Sequence, residues 1–134
     1  MKKVIAIIDY GMGNVQSIKN MLNKFNVNTL LTKDKNRILQ ADAVILPGVG
    51  AFKKAMSELE NNCLTEVINE YVITKKPILG VCLGMQLLFN SSEEFGMTKG
   101  LGLIDGRVVK FPSTVSGKLP HISWNKIKPK TIDW

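Results

Sequence analysis

The segment "PILGVCLGMQLLF" (77–89) joins an apolar run to a helix-like pattern through a cysteine that has a glycine on either side. The apolar run is typical of a strand buried on both faces, and the residues after the cysteine predict the opening of a helix. Because the backbone must reverse sharply between the two, Gly80 and Gly84 remove side chains where strand and helix cross. The segment therefore predicts a strand, a tight turn that carries Cys82, and a helix.

The same alternation of strand and helix patterns extends towards the N-terminus. A continuous apolar run typical of a strand buried on both faces occupies 3–9, and further strands are predicted at 27–32, 42–47 and 77–81. Apolar residues at helical spacing occupy 14–25, 51–60 and 64–74, with a short helical turn at 34–39. Strands that alternate with helices predict βαβ units in a parallel sheet, and hence an α/β fold. After residue 95 the pattern changes, and segments 106–111 and 120–127 predict strands with no helix between them.

The length and composition predict one globular domain over residues 1–134. Hydrophobic residues make up 45% of the chain and charged residues 22%, a balance that can bury one core. No apolar run approaches the roughly 18 residues that a membrane-spanning helix needs. The N-terminal apolar run meets Asp9 without a small-residue cleavage site, which argues against a signal peptide. Two cysteines are too few for a disulfide framework and favour a reducing, cytoplasmic location.

The net charge of +7 raises the question of a nucleic-acid partner. The lysines are scattered along the chain, and no aromatic residues alternate with them as they would in a base-stacking platform. A lysine-rich, solvated surface is therefore the preferred interpretation, with no nucleic acid and no membrane as partner.

The position of Cys82 suits a nucleophile. A helix N-terminus favours the thiolate over the thiol, and the "GVCLG" pattern is the nucleophile elbow G-x-S-x-G written with cysteine. The N–H of Leu83, directly after the cysteine, can donate to a developing oxyanion. The alternative is a buried structural cysteine. Cys63, in "ENNCLTEV", has no glycine-flanked elbow and is interpreted as a surface or packing residue.

Two further glycine loops follow predicted strands. In "LPGVGAF" (46–52), Gly48 and Gly50 allow backbone orientations that present N–H groups to an anion, although an ordinary glycine turn is the alternative. The loop "DYGMGN" (9–14) begins like the dinucleotide pattern G-x-G-x-x-G, but Gln16 occupies the third glycine position. The sequence therefore predicts no dinucleotide cofactor and no metal.

Five motifs, taken in order, resemble a known family. They are "DYGMGN", "LPGVGAF", "GVCLGMQLLF", "GLGLIDG" and "LPHISWN". Together they resemble the glutamine amidotransferase subunits of imidazole glycerol phosphate synthase, within the class I glutamine amidotransferases. The resemblance implies a flavodoxin-like parallel sheet flanked by helices, and residues 1–134 as the N-terminal portion of a single amidotransferase type 1 domain.

The resemblance also implies a glutaminase that needs no cofactor. Cys82 would attack the side-chain amide of L-glutamine and release ammonia, and water would hydrolyse the thioester. The backbone of Val49 and Gly50 and the N–H of Leu83 would form the oxyanion hole, while Gly50 and Gln86 would hold glutamine.

The family's partner is a (β/α)₈ barrel cyclase subunit, which takes up the ammonia within a heterodimer and makes imidazole glycerol phosphate for histidine biosynthesis. By resemblance, Asn14, Trp124 and Asn125 would face that barrel. Ser123 stands where the family often has glycine. This serine raises an alternative, which is a paralogous amidotransferase that supplies ammonia for modifying cell-surface sugars.

The family's general base and its orienting glutamate belong to an "HPE"-like motif, which these 134 residues do not contain. The only histidine, His121, matches the interface segment "LPHISWN" rather than the triad. We therefore expect a C-terminally incomplete fold without glutamine turnover of its own, or a catalytically dead fragment that docks a barrel. A cysteine hydrolase of the dienelactone-hydrolase type is a further alternative, disfavoured by "PGVGAF" and Gln86.

Overall fold

The computed structural model describes residues 3–114 and 123–128. Strands and helices alternate through the first 80 residues, except that two successive helices precede the fourth strand, and this order is typical of an α/β protein. In chain order the elements are β1 (Val4–Ile8), α1 (Val15–Asn23), β2 (Asn28–Thr32), α2 (Lys35–Gln40), β3 (Ala43–Leu46), α3 (Phe52–Asn61), α4 (Leu64–Ile73), β4 (Ile78–Gly80), α5 (Leu83–Leu87), β5 (Phe89–Ser92), β6 (Thr98–Lys99) and β7 (Ile104–Val108).

The main sheet has four parallel strands in the order β2-β1-β3-β4. The predicted α/β fold with a parallel sheet is confirmed. Strand β1 lies inside the sheet and needs apolar side chains on both faces. Ala6 and Ile8 contribute to the hydrophobic cluster on one face, and Ile7 contributes to the cluster on the other. This is the physical reason for the unbroken apolar run at the N-terminus.

Helices α2, α3 and α4 supply the larger of the two cores. Their side chains Ile38, Phe52, Leu59, Ile68 and Tyr71 are buried with β1 and β3 residues in one cluster. Helix α1 covers part of the opposite face through Leu22, which packs with Ile7 and Ile45. The described helices reach at most ten residues, and none of them is long and apolar enough to cross a membrane.

Side-chain caps begin the first two helices. The Asn14 side chain accepts a hydrogen bond from the Ser17 N–H at 3.3 Å, and Asp34 accepts one from the Arg37 N–H at 2.9 Å. Asn14 thereby starts α1 directly after the loop 9–14.

The helix predicted over 83–89 is shorter than its apolar spacing suggests. Helix α5 ends at Leu87, and Phe89 begins β5, which pairs with β6 and β7 in a second sheet. The cause is long-range, because the carbonyls of Leu87 and Leu88 accept hydrogen bonds from Leu101 and Leu103, at 2.9 and 2.8 Å. The hydrogen-bonding capacity of these carbonyls is therefore used by residues outside the helix, and α5 does not continue through Phe89.

The strands predicted after residue 95 are partly confirmed. The strand predicted at 106–111 exists as β7 but begins at Ile104 and ends at Val108. Of the strand predicted at 120–127, residues 123–127 have no regular structure, so that part of the prediction is wrong. Residues 120–122 lie outside the described residues.

Candidate active site

Three loops meet at the carboxyl edge of the main sheet, where sites in open α/β folds lie. The Tyr10 hydroxyl, after β1, donates a hydrogen bond of 2.6 Å to the Pro47 carbonyl, after β3. The Val81 N–H, after β4, donates one of 3.0 Å to the Leu46 carbonyl. The glycine loops predicted after β1 and β3 and the cysteine turn after β4 are therefore neighbours.

Cys82 occupies the sharp turn between β4 and α5 and is exposed to solvent. Its backbone angles are φ 56° and ψ −119°, a region that a residue with a β-carbon rarely adopts. The strain is typical of a nucleophile elbow, which holds the side chain clear of both strand and helix. The predicted turn is therefore observed, and the alternative of a buried structural cysteine is wrong.

Glycines allow the backbones around this turn to approach closely. A β-carbon on Gly84 would overlap the carbonyl oxygen of Leu46, and one on Gly80 would lie 2.5 Å from the Met85 α-carbon. One on Gly48 would lie 2.5 Å from the Gly84 nitrogen. Helix α5 thus packs directly on the end of β3, which brings the loop after β3 beside Cys82.

A narrow groove of about 150 Å³ runs between the cysteine turn and the loop after β3. Its walls include Cys82, Val49 and Asn14. Among the described residues, no hydrogen bond takes up the N–H groups of Val49, Gly50 or Leu83. These N–H groups are therefore unpaired in the described part of the chain.

A larger cavity of about 450 Å³ begins one helical turn beyond the cysteine. It is lined by Gln86, Ser92, Glu93, Glu94, Phe95, Val108, Val109 and Lys110. The Gln86 N–H donates to the Cys82 carbonyl at 3.3 Å, so the cavity and the cysteine turn share α5. Gln86 and Cys82 nevertheless line different cavities, although the resemblance implies that both contact glutamine.

Sequence reasoning missed the charged lining of this cavity. The Glu94 carboxylate accepts a hydrogen bond of 2.8 Å from the Phe52 N–H, where the loop 46–52 ends and α3 begins. Glu93 lies 3.6 Å from Arg107, and Lys110 supplies a further positive charge. The adjacent acids in "NSSEEFG" were the available signal, but their position depends on β5, which ends at Ser92 directly before them.

The residues expected at a partner interface are divided between two places. Asn14 lines the groove beside Cys82. Trp124 is fully exposed, and the exposed Asn125 bonds to the Ser123 hydroxyl at 2.9 Å. His121 lies outside the described residues.

Cys63 shares more with Cys82 than the sequence indicated. It is exposed, has φ 54°, and directly precedes α4. A helix start therefore does not by itself distinguish the two thiols, and the exposure of Cys63 agrees with the predicted surface position. The difference lies in the surroundings, because Cys63 borders a separate cavity lined also by Lys33, Lys35 and Glu66.

The left-handed backbone conformation of Gly50, in the loop 46–52, allows a mutational test of the loop. Gly50 has φ +91°, and an added β-carbon would meet only the Met12 methyl at 3.4 Å. In the full-length protein, we expect Gly50→Val to turn the loop backbone without a severe clash and to displace the proposed oxyanion donors. The glutaminase rate that the resemblance implies should then fall on the order of a hundredfold.

The matched control for that substitution is Gly102→Val. Gly102 also has a positive φ, +66°, with open space around it. Both variants should lose a similar free energy of unfolding in urea titrations, but only Gly50→Val should lose glutaminase rate. A Gly50→Val protein with wild-type rate would exclude the loop from oxyanion binding.

Comparison with known proteins assigns the family. The Glutamine amidotransferase class-I family matches residues 6–128, which is most of the chain. The chain belongs to this family, as the motifs predicted.

The similar curated proteins carry a more particular name. The chain is 48% identical over 132 residues to the imidazole glycerol phosphate synthase subunit HisH of Sulfurimonas denitrificans, covering 95% of the chain and 63% of that protein. It is 50% identical over 125 residues to the subunit of the same name from Bacillus cereus, covering 93% of the chain and 59% of that protein. A third, HisH 2 of Methanococcus maripaludis, is 50% identical over 126 residues, covering 93% of the chain and 62% of that protein. The chain thus spans about three fifths of the length of these relatives.

A solved structure supports the fold alone. A protein assigned as a peptidase E from Listeria monocytogenes EGD-e superposes with a TM-score of 0.61 at 15% identity, covering 76% of this chain and 63% of that one. At that identity the likeness concerns the arrangement of helices and strands and not the chemistry.

Proposed function

We propose that this chain provides the nucleophile and oxyanion hole of a glutaminase that supplies ammonia for imidazole glycerol phosphate synthesis. The observation that carries the proposal is the strained, exposed Cys82 beside a glycine loop with free N–H groups, in a chain of the amidotransferase family. The names of the half-identical relatives favour this pathway over the sugar-modifying paralogue. We also propose that residues 1–134 belong to one amidotransferase domain.

The reaction follows from the elements around the elbow. The Cys82 thiolate attacks the side-chain amide carbon of glutamine, and the carbonyl oxygen takes up the electron pair. N–H groups of Leu83, Val49 and Gly50 would stabilise this oxyanion in a fixed geometry. The tetrahedral adduct collapses to a thioester as the amide nitrogen takes up a proton and leaves as ammonia. Water then hydrolyses the thioester to glutamate and regenerates the thiol.

The larger cavity suits the amino-acid end of glutamine. Its carboxylates on Glu93 and Glu94 complement an α-ammonium group, and Lys110 complements an α-carboxylate. Gln86, half-buried on α5 between this cavity and the elbow, offers a side-chain amide to the same ligand. Because Glu94 also accepts the hydrogen bond from the Phe52 N–H, a ligand bound at Glu94 would contact the side chain that holds the end of the loop 46–52.

Two requirements of the reaction involve groups beyond the elbow. The proton transfers need a general base and acid, which the family resemblance assigns to a histidine in an "HPE"-like motif. The ammonia needs an acceptor, for which we propose a barrel cyclase subunit that contacts Asn14, Trp124 and Asn125. Ammonia released in the groove beside Asn14 would then be released next to one of these proposed contacts.

Reaction with a glutamine-like diazoketone tests the function and the nucleophile together. The reagent should alkylate Cys82 of the full-length protein, detected by peptide mass mapping, and excess L-glutamine should protect the thiol. Cys63 is the internal control, because it is also exposed and also directly precedes a helix. Labelling of Cys63 at the same rate, or no protection by glutamine, would contradict the proposed function.

A further inference from the structure

Tyr10 is a buried tyrosine next to the candidate site, and neither the motifs nor the comparisons give it a role. It is 3% exposed, and its hydroxyl donates the 2.6 Å hydrogen bond to the Pro47 carbonyl. Burial raises the pKa of Tyr10 to about 12, so the hydroxyl keeps its proton and remains a donor at neutral and mildly alkaline pH. The Pro47 side chain is itself fully buried.

The bond controls the direction of the backbone that enters the oxyanion loop. The Pro47 carbonyl belongs to the peptide group that continues into Gly48, so fixing its oxygen fixes the plane of that peptide. Gly48 in turn packs closely against Gly84, and the proposed donors of Val49 and Gly50 follow directly.

The loop has few other restraints. At its far end the Phe52 N–H is held by the Glu94 carboxylate. Between these anchors, in the part of the chain that the structure describes, no side chain of another element hydrogen-bonds to residues 48–51. Gly50, with φ +91°, leaves this stretch conformationally permissive. The Tyr10 hydrogen bond is therefore the side-chain restraint at the N-terminal end of residues 48–51, next to the proposed donors of Val49 and Gly50.

We infer that Tyr10 is a positioning residue, which holds the oxyanion loop in the geometry that catalysis needs through its hydrogen bond to Pro47. The inference rests on the proposed glutaminase function. Tyr10 touches no substrate in this scheme. It acts on the transition state alone, because a misdirected donor weakens oxyanion binding more than it weakens glutamine binding.

The chain contains a matched control for removing the hydroxyl. Tyr71 is also fully buried, and its hydroxyl donates to a proline carbonyl, that of Pro77, at 3.3 Å. Pro77 precedes β4 and lies at the amino edge of the parallel sheet, opposite Cys82. Tyr10→Phe and Tyr71→Phe thus remove the same chemical group at opposite ends of the sheet.

Steady-state kinetics of the full-length protein with its partner distinguish positioning from general stabilisation. Tyr10→Phe should lower kcat between about tenfold and a hundredfold with KM nearly unchanged, the range expected when an oxyanion donor is misplaced. Tyr71→Phe should leave kcat and KM within about twofold of wild type, since its bond lies far from the donors. Equal kcat values for Tyr10→Phe and wild type would overturn the inference.

Two electrophiles give a second readout at Cys82. Addition of the thiolate to a glutamine-like aldehyde, which has an aldehyde in place of the side-chain amide, passes through an oxyanion to a hemithioacetal, whereas alkylation by iodoacetamide forms no oxyanion. Tyr10→Phe should slow the first reaction and spare the second, and an equal loss in both would indicate general disorder and overturn the inference. If wild-type Cys82 shows no glutamine-protected reaction, the proposed function fails and the inference fails with it. If wild type reacts and Tyr10→Phe reacts equally fast, only the inference fails.

Discussion

Cys82→Ala should reduce glutamine hydrolysis by the full-length protein about 10⁴-fold or more, to the level left when a nucleophile is removed from a catalytic triad. The thioester route is lost with the sulfur, and the remaining donors and cavity provide only binding and electrostatic stabilisation. The substitution also relieves no packing, because Cys82 is exposed. The free energy of unfolding should therefore change little, and the loss should appear almost entirely in kcat.

Cys63→Ala is the matched control for that result. Cys63 is exposed and directly precedes a helix, as Cys82 does, so both variants lose the same group from an exposed position at a helix start. The ψ angles differ, at 30° for Cys63 and −119° for Cys82. Coupled measurement of glutamate and ammonia should find wild-type rates for Cys63→Ala. A Cys82→Ala protein that retains more than a few per cent of the wild-type rate would exclude the thioester mechanism.

Gly84→Ala should be the most destabilising single methyl addition around the elbow. The new β-carbon would overlap the Leu46 carbonyl oxygen and lie 2.8 Å from the Leu46 carbonyl carbon, and backbone atoms cannot turn aside as a flexible side chain can. Overpacking a well-packed core typically costs 1–3 kcal/mol, and a backbone overlap should reach or exceed about 3 kcal/mol. We expect an insoluble protein or a strongly lowered urea midpoint.

Gly102→Ala controls for the addition of a methyl group at a glycine. It has open space around it, and its φ of +66° should limit the loss of unfolding free energy to about 1 kcal/mol. Circular dichroism during urea titration of both variants measures the difference. Equal stability of Gly84→Ala and wild type would mean that α5 does not pack on β3 as described.

The fold of the first 80 residues could be read from the sequence because its signals are local. A strand such as β1, buried on both faces, needs an unbroken apolar run, and a helix such as α4 needs apolar residues at every third or fourth position. The glycines beside Cys82 were equally informative, since only glycine permits the contact between α5 and β3. The family followed from the same short motifs.

Other features depended on atoms that are far apart in sequence. Leu87, Leu88 and Phe89 continue the helical spacing, but α5 stops because residues 101–104 supply hydrogen bonds to their carbonyls. Once β5 forms, Glu94 is carried to the start of α3 and the charged cavity appears.

The sequence by itself determined the parallel sheet, the elbow and the glycine loops, because backbone conformation and burial pattern are written in neighbouring residues. Only the tertiary structure decided which loops meet and which polar groups anchor them. It joined the Tyr10 hydroxyl to Pro47, 37 positions away, and the Glu94 carboxylate to the Phe52 N–H, 42 positions away. The physical reason is that a hydrogen bond depends on position and direction in space, and no local pattern specifies where the chain will bring two distant groups together.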